Sequence, residues 1–184
     1  MKITFFDVDG VVATHDSLYE ELAMYFDVNI KEIEDGTPRE LCDKTGLDYP
    51  SVSCSHWPFS RNAIKLIYKL QKETNCKFVM CSSWRLGLDV DEINDLMSNK
   101  GLRIRFIDKT TNWSKSGTRG EEIKLWLDNF KNLYPDDEIE QYVIIDDECG
   151  HDIIKWHPNN CVQPKFKTGF TEENLNQVIK ILNQ

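Results

Sequence analysis

Apolar residues in this chain follow two spacings in turn. Short continuous runs (Ile3 to Phe6, Phe78 to Cys81, Val143 to Ile145) are separated by stretches where apolar positions recur every three or four residues. Runs of the first kind read as buried parallel strands, and stretches of the second as helices packed over them. The pattern predicts strand one at Lys2 to Phe6. A helix follows Ser17-Leu18-Tyr19-Glu20, which has capping-box form, with Leu18, Leu22, Tyr25 and Phe26 on its apolar face. Breakers at Gly36, Pro38, Gly46, Pro50 and Pro58 make the region from Asn29 to Phe59 irregular. Ser60 opens a second helix bearing Ile64, Ile67 and Leu70, and strand two is expected at Lys77 to Cys81.

A third helix is predicted from about Asp89 to Asn99, with Val90, Ile93, Leu96 and Met97 inward, and strand three from Leu102 to Ile107. Thr118-Arg119-Gly120-Glu121 has the form of another capping box, opening a helix with Ile123, Trp126, Leu127 and Phe130. Strand four is expected at Tyr142 to Ile145 and a short fifth strand at Cys161 to Gln163. The last helix starts at Thr171, with Phe170 stapled onto Leu175 and Val178, Ile179 and Leu182 buried. Alternation of this kind is the signature of an α/β fold, a parallel sheet with helices on both faces.

Composition narrows the class. A length of 184 residues fits one domain, and 40% hydrophobic with 29% charged residues describes a globular chain. No apolar stretch approaches the roughly 20 residues a membrane span needs. Met1 leads directly into a core strand without a secretory or transit signal, so a cytoplasmic location is expected. The net charge of −9 argues against broad nucleic-acid binding through phosphates, while leaving room for a local basic pocket. The six cysteines are scattered without a Cys-x-x-Cys pair and are expected to be free thiols. A zinc site on Cys42, Cys54 and His56 is a weaker alternative.

Candidate chemistry sits at the strand ends. Strand one ends in Asp7-Val8-Asp9-Gly10, strand two in Ser82-Ser83-Trp84-Arg85, and strand four in Asp146-Asp147-Glu148. Taken singly, an Asp-Gly turn or a helix cap explains each acidic pair. Parallel strands, however, bring the three tips to one edge, where open α/β sheets place their ligands. So many acids together repel unless a cation is present, and all-oxygen ligands favour Mg2+.

These motifs resemble those of the haloacid dehalogenase (HAD) superfamily of phosphohydrolases. The resemblance is carried by Asp7-Val8-Asp9-Gly10-Val11-Val12, Phe78-Val79-Met80-Cys81-Ser82 and Val143-Ile144-Ile145-Asp146-Asp147. Ser82-Ser83-Trp84-Arg85 with Arg119-Gly120-Glu121-Glu122-Ile123 and Trp126-Leu127 is similar, more narrowly, to the HAD domains of Swiss Army Knife RNA-repair proteins and of bacteriophages. The resemblance implies a Rossmannoid three-layer sandwich over residues 1–184, with a small cap insert at 27–58 after the first motif. It implies Asp7 as nucleophile, Asp9 as general acid and Ser82 as a phosphoryl ligand, with Ser83 as the alternative. Gly10 and Arg85 join Ser83 as candidate substrate contacts. The implied metal ligands are Asp7, Asp9 through its backbone carbonyl, Asp147, and Asp146 directly or through water.

The family also implies a cation before strand four, supplied here by Arg119 or Lys115, an arginine departing from the commoner lysine. A further departure lies beyond the fourth motif, where His151 stands in place of a common second Asp. Asp152 or Glu148 is then the substitute. Trp84 is expected to cover a helix rather than to stack on a base. His15 is expected at the surface, and Tyr49, His56 and Trp57 of the insert are candidates for substrate contact.

The expected function is a magnesium-dependent phosphatase working through an aspartyl-phosphate. Its expected partner is a nucleotide, another small phosphomonoester or a phosphorylated nucleic-acid end, with no membrane. A catalytically weak HAD-like module that binds a nucleotide or a protein is the alternative. The two-residue spacing of Asp7 and Asp9 and the long insert after them disfavour a receiver domain, and Asp9 disfavours dehalogenase chemistry.

Overall fold

A computed structural model describes residues 1–18, 20, 58–111 and 117–184 of the chain. Its centre is a five-stranded sheet in the order β3-β2-β1-β4-β5, parallel throughout. The strands are β1 (Lys2–Phe6), β2 (Lys77–Met80), β3 (Phe106–Lys109), β4 (Gln141–Ile145) and β5 (Cys161–Val162). Among the described residues, and besides the helical residues 15–18, the helices are α1 (Arg61–Thr74), α2 (Val90–Asn99), α3 (Arg119–Asp128), α4 (Phe130–Leu133), α5 (His151–Trp156) and α6 (Glu172–Leu182). A single 3₁₀ turn, Ser83–Arg85, follows β2.

Period-two alternation along the buried strands splits the core in two. Phe6, Phe78, Met80, Val143 and Ile145 face one side and pack with Ile67 and Leu70 of α1, Ile93 and Met97 of α2, and Leu175, Val178 and Leu182 of α6. Ile3, Phe5, Val79 and Ile144 face the other and pack with Ile123 and Trp126 of α3, Phe130 of α4 and Ile153 of α5. This is the three-layer α/β sandwich that the hydrophobic runs imply. Each fully buried large side chain contributes about 1.5–3 kcal/mol. Among the described residues, no helix is long and apolar enough to cross a membrane.

Several local expectations change. The residues 15–18 are already helical, and Thr14, not Ser17, opens that helix. The Thr14 and Ser17 side chains each accept the other's backbone N–H at 3.0 Å. Strand three begins at Phe106 rather than Leu102. Leu102 and Ile104 are buried like strand residues, but β2 is only four residues long and its ladder to β3 starts at Phe78. Asn94 marks that start, its side chain accepting from the Phe106 amide and donating to the Phe106 carbonyl. Thr118 is the N-cap of α3 but makes no side-chain capping bond, so the expected box is not closed. Thr171, by contrast, closes a box with Asn174.

The free-thiol expectation fails for one pair. Cys149 and Cys161 are joined as a disulfide, with Cα atoms 6.4 Å apart. Pairing of Ile144 with Cys161 sets β5 beside the chain leaving β4, which carries Cys149 back to it. Cys76 and Cys81 are free and buried. Cys42, Cys54 and His56, Tyr49 and Trp57, and residues 27–57 of the expected insert lie outside the described residues.

Candidate active site

The strand order makes β1 the neighbour of both β2 and β4, so the three motif-bearing tips adjoin. Ladder bonds continue past the strand ends and fix the tips. The Asp7 amide donates to the Ile145 carbonyl at 3.0 Å, the Cys81 amide to Phe6 at 3.1 Å, and the Asp146 amide to Val162 at 3.2 Å. The backbone therefore sets the site before any side chain contributes.

Asp7 and Asp146 are buried, and one guanidinium nitrogen holds both. Arg119 Nη1 donates to Asp7 Oδ2 at 2.8 Å and also to Asp146 Oδ2. Burial pushes the Asp7 carboxyl up, against the pull of Arg119. Burial and then the Asp7 charge push Asp146 up as well. Burial works against the Arg119 charge too, but the acids around it outweigh that and keep it protonated. Asp7 Oδ1 is buried without a hydrogen-bond partner. Ser82 and Val8 lie near enough to stabilise the Asp7 carboxylate without closing a bond on that oxygen.

Asp147 follows half-buried. Its pKa is raised to about 7 by burial first, and then by the charges of Asp7, Asp146 and Glu148. Its carbonyl accepts from Gln163 Nε2 at 2.7 Å, tying the loop to the strand-five region. Gly10 lies against its carboxylate. A Cβ there would overlap the Asp147 side chain, and the Gly10 φ of +66° is itself one that glycine favours.

Asp7, Asp146 and Asp147 each offer an oxygen, with these atoms within 4.8 Å of one another. Hard oxygens, a buried orphan acceptor and an acid strained by its neighbours suit a divalent cation such as Mg2+. The residues present thus fit the expected metal.

Other expectations are redistributed. The Asp9 carboxylate stands apart from the three clustered acid side chains: both its oxygens accept from Trp84 Nε1, at 3.1 and 3.0 Å. The expectation that Trp84 merely covers a helix overlooked this bond, and only its nearness to the second motif pointed to the site. Asp152 Oδ2 accepts from the Gly120 amide at 3.3 Å, so it caps α3 rather than joining the metal-capable group. Glu148 is exposed, and only its amide reaches in, donating to Asp146 Oδ1 at 2.8 Å.

Arg85 lines a cavity beside Arg119, but its donors are committed within the protein. It is 6% exposed, and its donors go to the carbonyls of Thr110, Cys81 and Ser82 and to the Glu122 carboxylate. Those commitments make it a tie between the strand-two tip, the end of β3 and α3, with its charge satisfied inside. Ser82 is buried, its hydroxyl accepting from the Trp84 amide at 3.4 Å, while Ser83 is exposed. This cavity, of about 420 Å³, is also lined by Ser83, Leu86, Thr118 and Glu148. Of the two expected cations, Arg119 reaches Asp7, and Lys115 lies outside the described residues. His15 is half-buried, within an ion-pair distance of 3.6 Å from Asp16.

No curated protein matches the sequence. Among solved structures, the chain is similar to a haloacid dehalogenase-like family hydrolase from Streptococcus pneumoniae. The two share 17% identity over 96% of this chain and 90% of that one, with a TM-score of 0.46. The family described as the HAD domain in Swiss Army Knife RNA repair proteins matches residues 3–175. That match takes in all three strand-tip motifs and Arg119, and the chain therefore belongs to this HAD family.

Proposed function

We propose that this chain is a magnesium-dependent phosphatase that hydrolyses a phosphomonoester through an aspartyl-phosphate on Asp7. The observation that carries the reading is the pairing of a buried Asp7 with Arg119 on one oxygen and nothing on the other, within a triad of acids. A receiver for a phosphoryl group needs a nucleophilic oxygen left open and positive charge around it. Phosphoryl transfer depends mainly on such positioning and charge.

In this reading Asp7 Oδ1 attacks phosphorus and the bond to the leaving oxygen breaks. The Asp9 carboxyl gives its proton to that oxygen, releasing an alcohol. The Asp9 carboxylate then takes a proton from water, whose oxygen attacks the acyl-phosphate. The bond from phosphorus to Asp7 breaks, inorganic phosphate leaves, and both acids return to their starting states. Arg119 and Ser82 hold phosphoryl oxygens, and Arg119 balances the charge of Asp7 between turnovers. Bound Mg2+, held by Asp7, Asp146 and Asp147, supplies further neutralisation of the phosphoryl charge.

The substrate class proposed is a nucleotide or a phosphorylated nucleic-acid end. Support comes from the RNA-repair setting of the family. The net charge of −9 weighs against gripping a long polyanion, so recognition is confined to the terminus.

Covalent capture tests the mechanism. Brief reaction with a radiolabelled monoester and a denaturing quench is expected to leave acid-stable, hydroxylamine-labile label on the protein, mapped to Asp7. Turnover with no label on the protein at any time contradicts the aspartyl-phosphate.

A further inference from the structure

Trp84 stands on the 3₁₀ turn after β2 and points its indole N–H at the acid two residues beyond the nucleophile. The single N–H is shared between both Asp9 oxygens, at 3.1 and 3.0 Å. Sharing of this kind fixes the plane of the carboxyl group, where a bond to one oxygen leaves it free to rotate. The indole is itself held. Its ring meets Phe59 at a centroid distance of 5.7 Å, and its backbone amide is anchored on Ser82 Oγ. Phe59 in turn pairs with Ala13 of the loop that follows Asp9, so the support closes on itself. A residue serving only as cover needs the ring but has no use for the N–H at this place. Arg119, which reaches Asp7 and Asp146, makes no bond to Asp9.

We infer that Trp84 is a positioning residue for the leaving-group proton: its indole N–H orients the Asp9 carboxyl so that the proton reaches the departing oxygen. This rests on the phosphatase reading above. The step is the first half-reaction already described, in which the Asp9 proton moves to the leaving oxygen as the phosphorus–oxygen bond breaks. Trp84 transfers nothing. It orients the carboxyl group.

The role has a signature that simple destabilisation lacks. Proton donation matters most for basic leaving groups and little for a nitrophenolate. In Trp84→Phe, which keeps a ring, the loss in kcat/KM is expected to grow with leaving-group basicity. The loss is expected to be at least about tenfold larger for an alkyl monoester than for p-nitrophenyl phosphate, part of the roughly 10²–10⁴ that general acid catalysis supplies. Asp9→Asn is expected to show the same trend more steeply. Equal losses for all leaving groups in a folded Trp84→Phe overturn the inference and leave the phosphatase reading standing. No turnover by wild-type protein on any monoester, with Mg2+ present, defeats the phosphatase reading and this inference with it.

A second readout does not depend on turnover or on Trp84→Phe folding. The Trp84 indole N–H resonance, followed in a nitrogen–proton correlation spectrum of isotopically labelled protein, is expected to move in Asp9→Asn more than the other indole signals. An unmoved Trp84 signal overturns the contact on which the inference stands.

Discussion

Asp147 carries the clearest pH signature of any single residue in the site. Its pKa of about 7 comes from burial and from three like charges, so the folded protein favours its protonated form. An acid raised in this way gives its full stability below its unfolded value near 3.9 and loses it as pH rises through about 7. Metal-free protein is therefore expected to lose stability between about pH 4 and pH 7. Because Asp147 is half-exposed, solvent screening reduces the effect to about 1 kcal/mol, or ~2–4 °C in melting temperature. Melting curves of Asp147→Asn without metal are expected to show a shallower slope, since Asp7 and Asp146 are raised as well, and an unchanged slope assigns it elsewhere. Gly10→Ala acts on the same carboxylate through sterics, since the new methyl overlaps it at a φ of +66°. Calorimetric titration is expected to show Mg2+ binding weakened by about tenfold or more, with native-like affinity as the contrary result. The acids were legible in sequence because their pairs end apolar runs. Arg85 and Trp84 were not, because a side chain's direction depends on what lies across the sheet edge. For Arg85 the decisive partners are carbonyls and Glu122, distant in sequence, and nothing in the local pattern marks them.

At the level of elements, α3 matters most, because it presents Arg119 from its first turn. Two contacts fix its N-terminal end. A Cβ on Gly120 would lie 2.5 Å from the Asp152 carbonyl oxygen, so only glycine lets α3 and α5 approach this closely. Two residues further, Glu122 takes the buried Arg85 guanidinium. Removing the charge from one partner of a buried pair leaves the other uncompensated, at a cost of about 3–5 kcal/mol. Glu122→Gln is expected to lower unfolding stability by an amount approaching that range in urea titrations. A change under about 0.5 kcal/mol would show the pair to be dispensable. Sequence patterning found α3 through Ile123 and Trp126, yet it could not show what docks it. The early start given to strand three has a similar cause. Leu102 and Ile104 are buried in the same cluster as the strand residues, so their hydrophobicity looks like strand, while the short β2 leaves them nothing to pair with.

At the level of the whole molecule, the site is a consequence of strand order. With β1 between β2 and β4, Asp7, Ser82 and the paired acids Asp146 and Asp147 meet without a loop having to carry any of them there. Parallel sheets buried on both faces write themselves into sequence as unbroken apolar runs, which explains why this much of the architecture could be read in advance. The disulfide between Cys149 and Cys161 could not be, since it depends on the register of β4 against β5. In the proposed function, the acid cluster at this sheet edge is the centre of a magnesium-dependent phosphatase acting through Asp7. Phosphate release from nucleotides, 3′- and 5′-phosphorylated oligonucleotides and p-nitrophenyl phosphate tests it most directly, run with Mg2+, with EDTA and with Asp7→Asn. Turnover is expected with Mg2+, abolished by EDTA and absent from Asp7→Asn, which still melts cooperatively. No release from any substrate by folded, Mg2+-supplied protein, or undiminished release by Asp7→Asn, would contradict it.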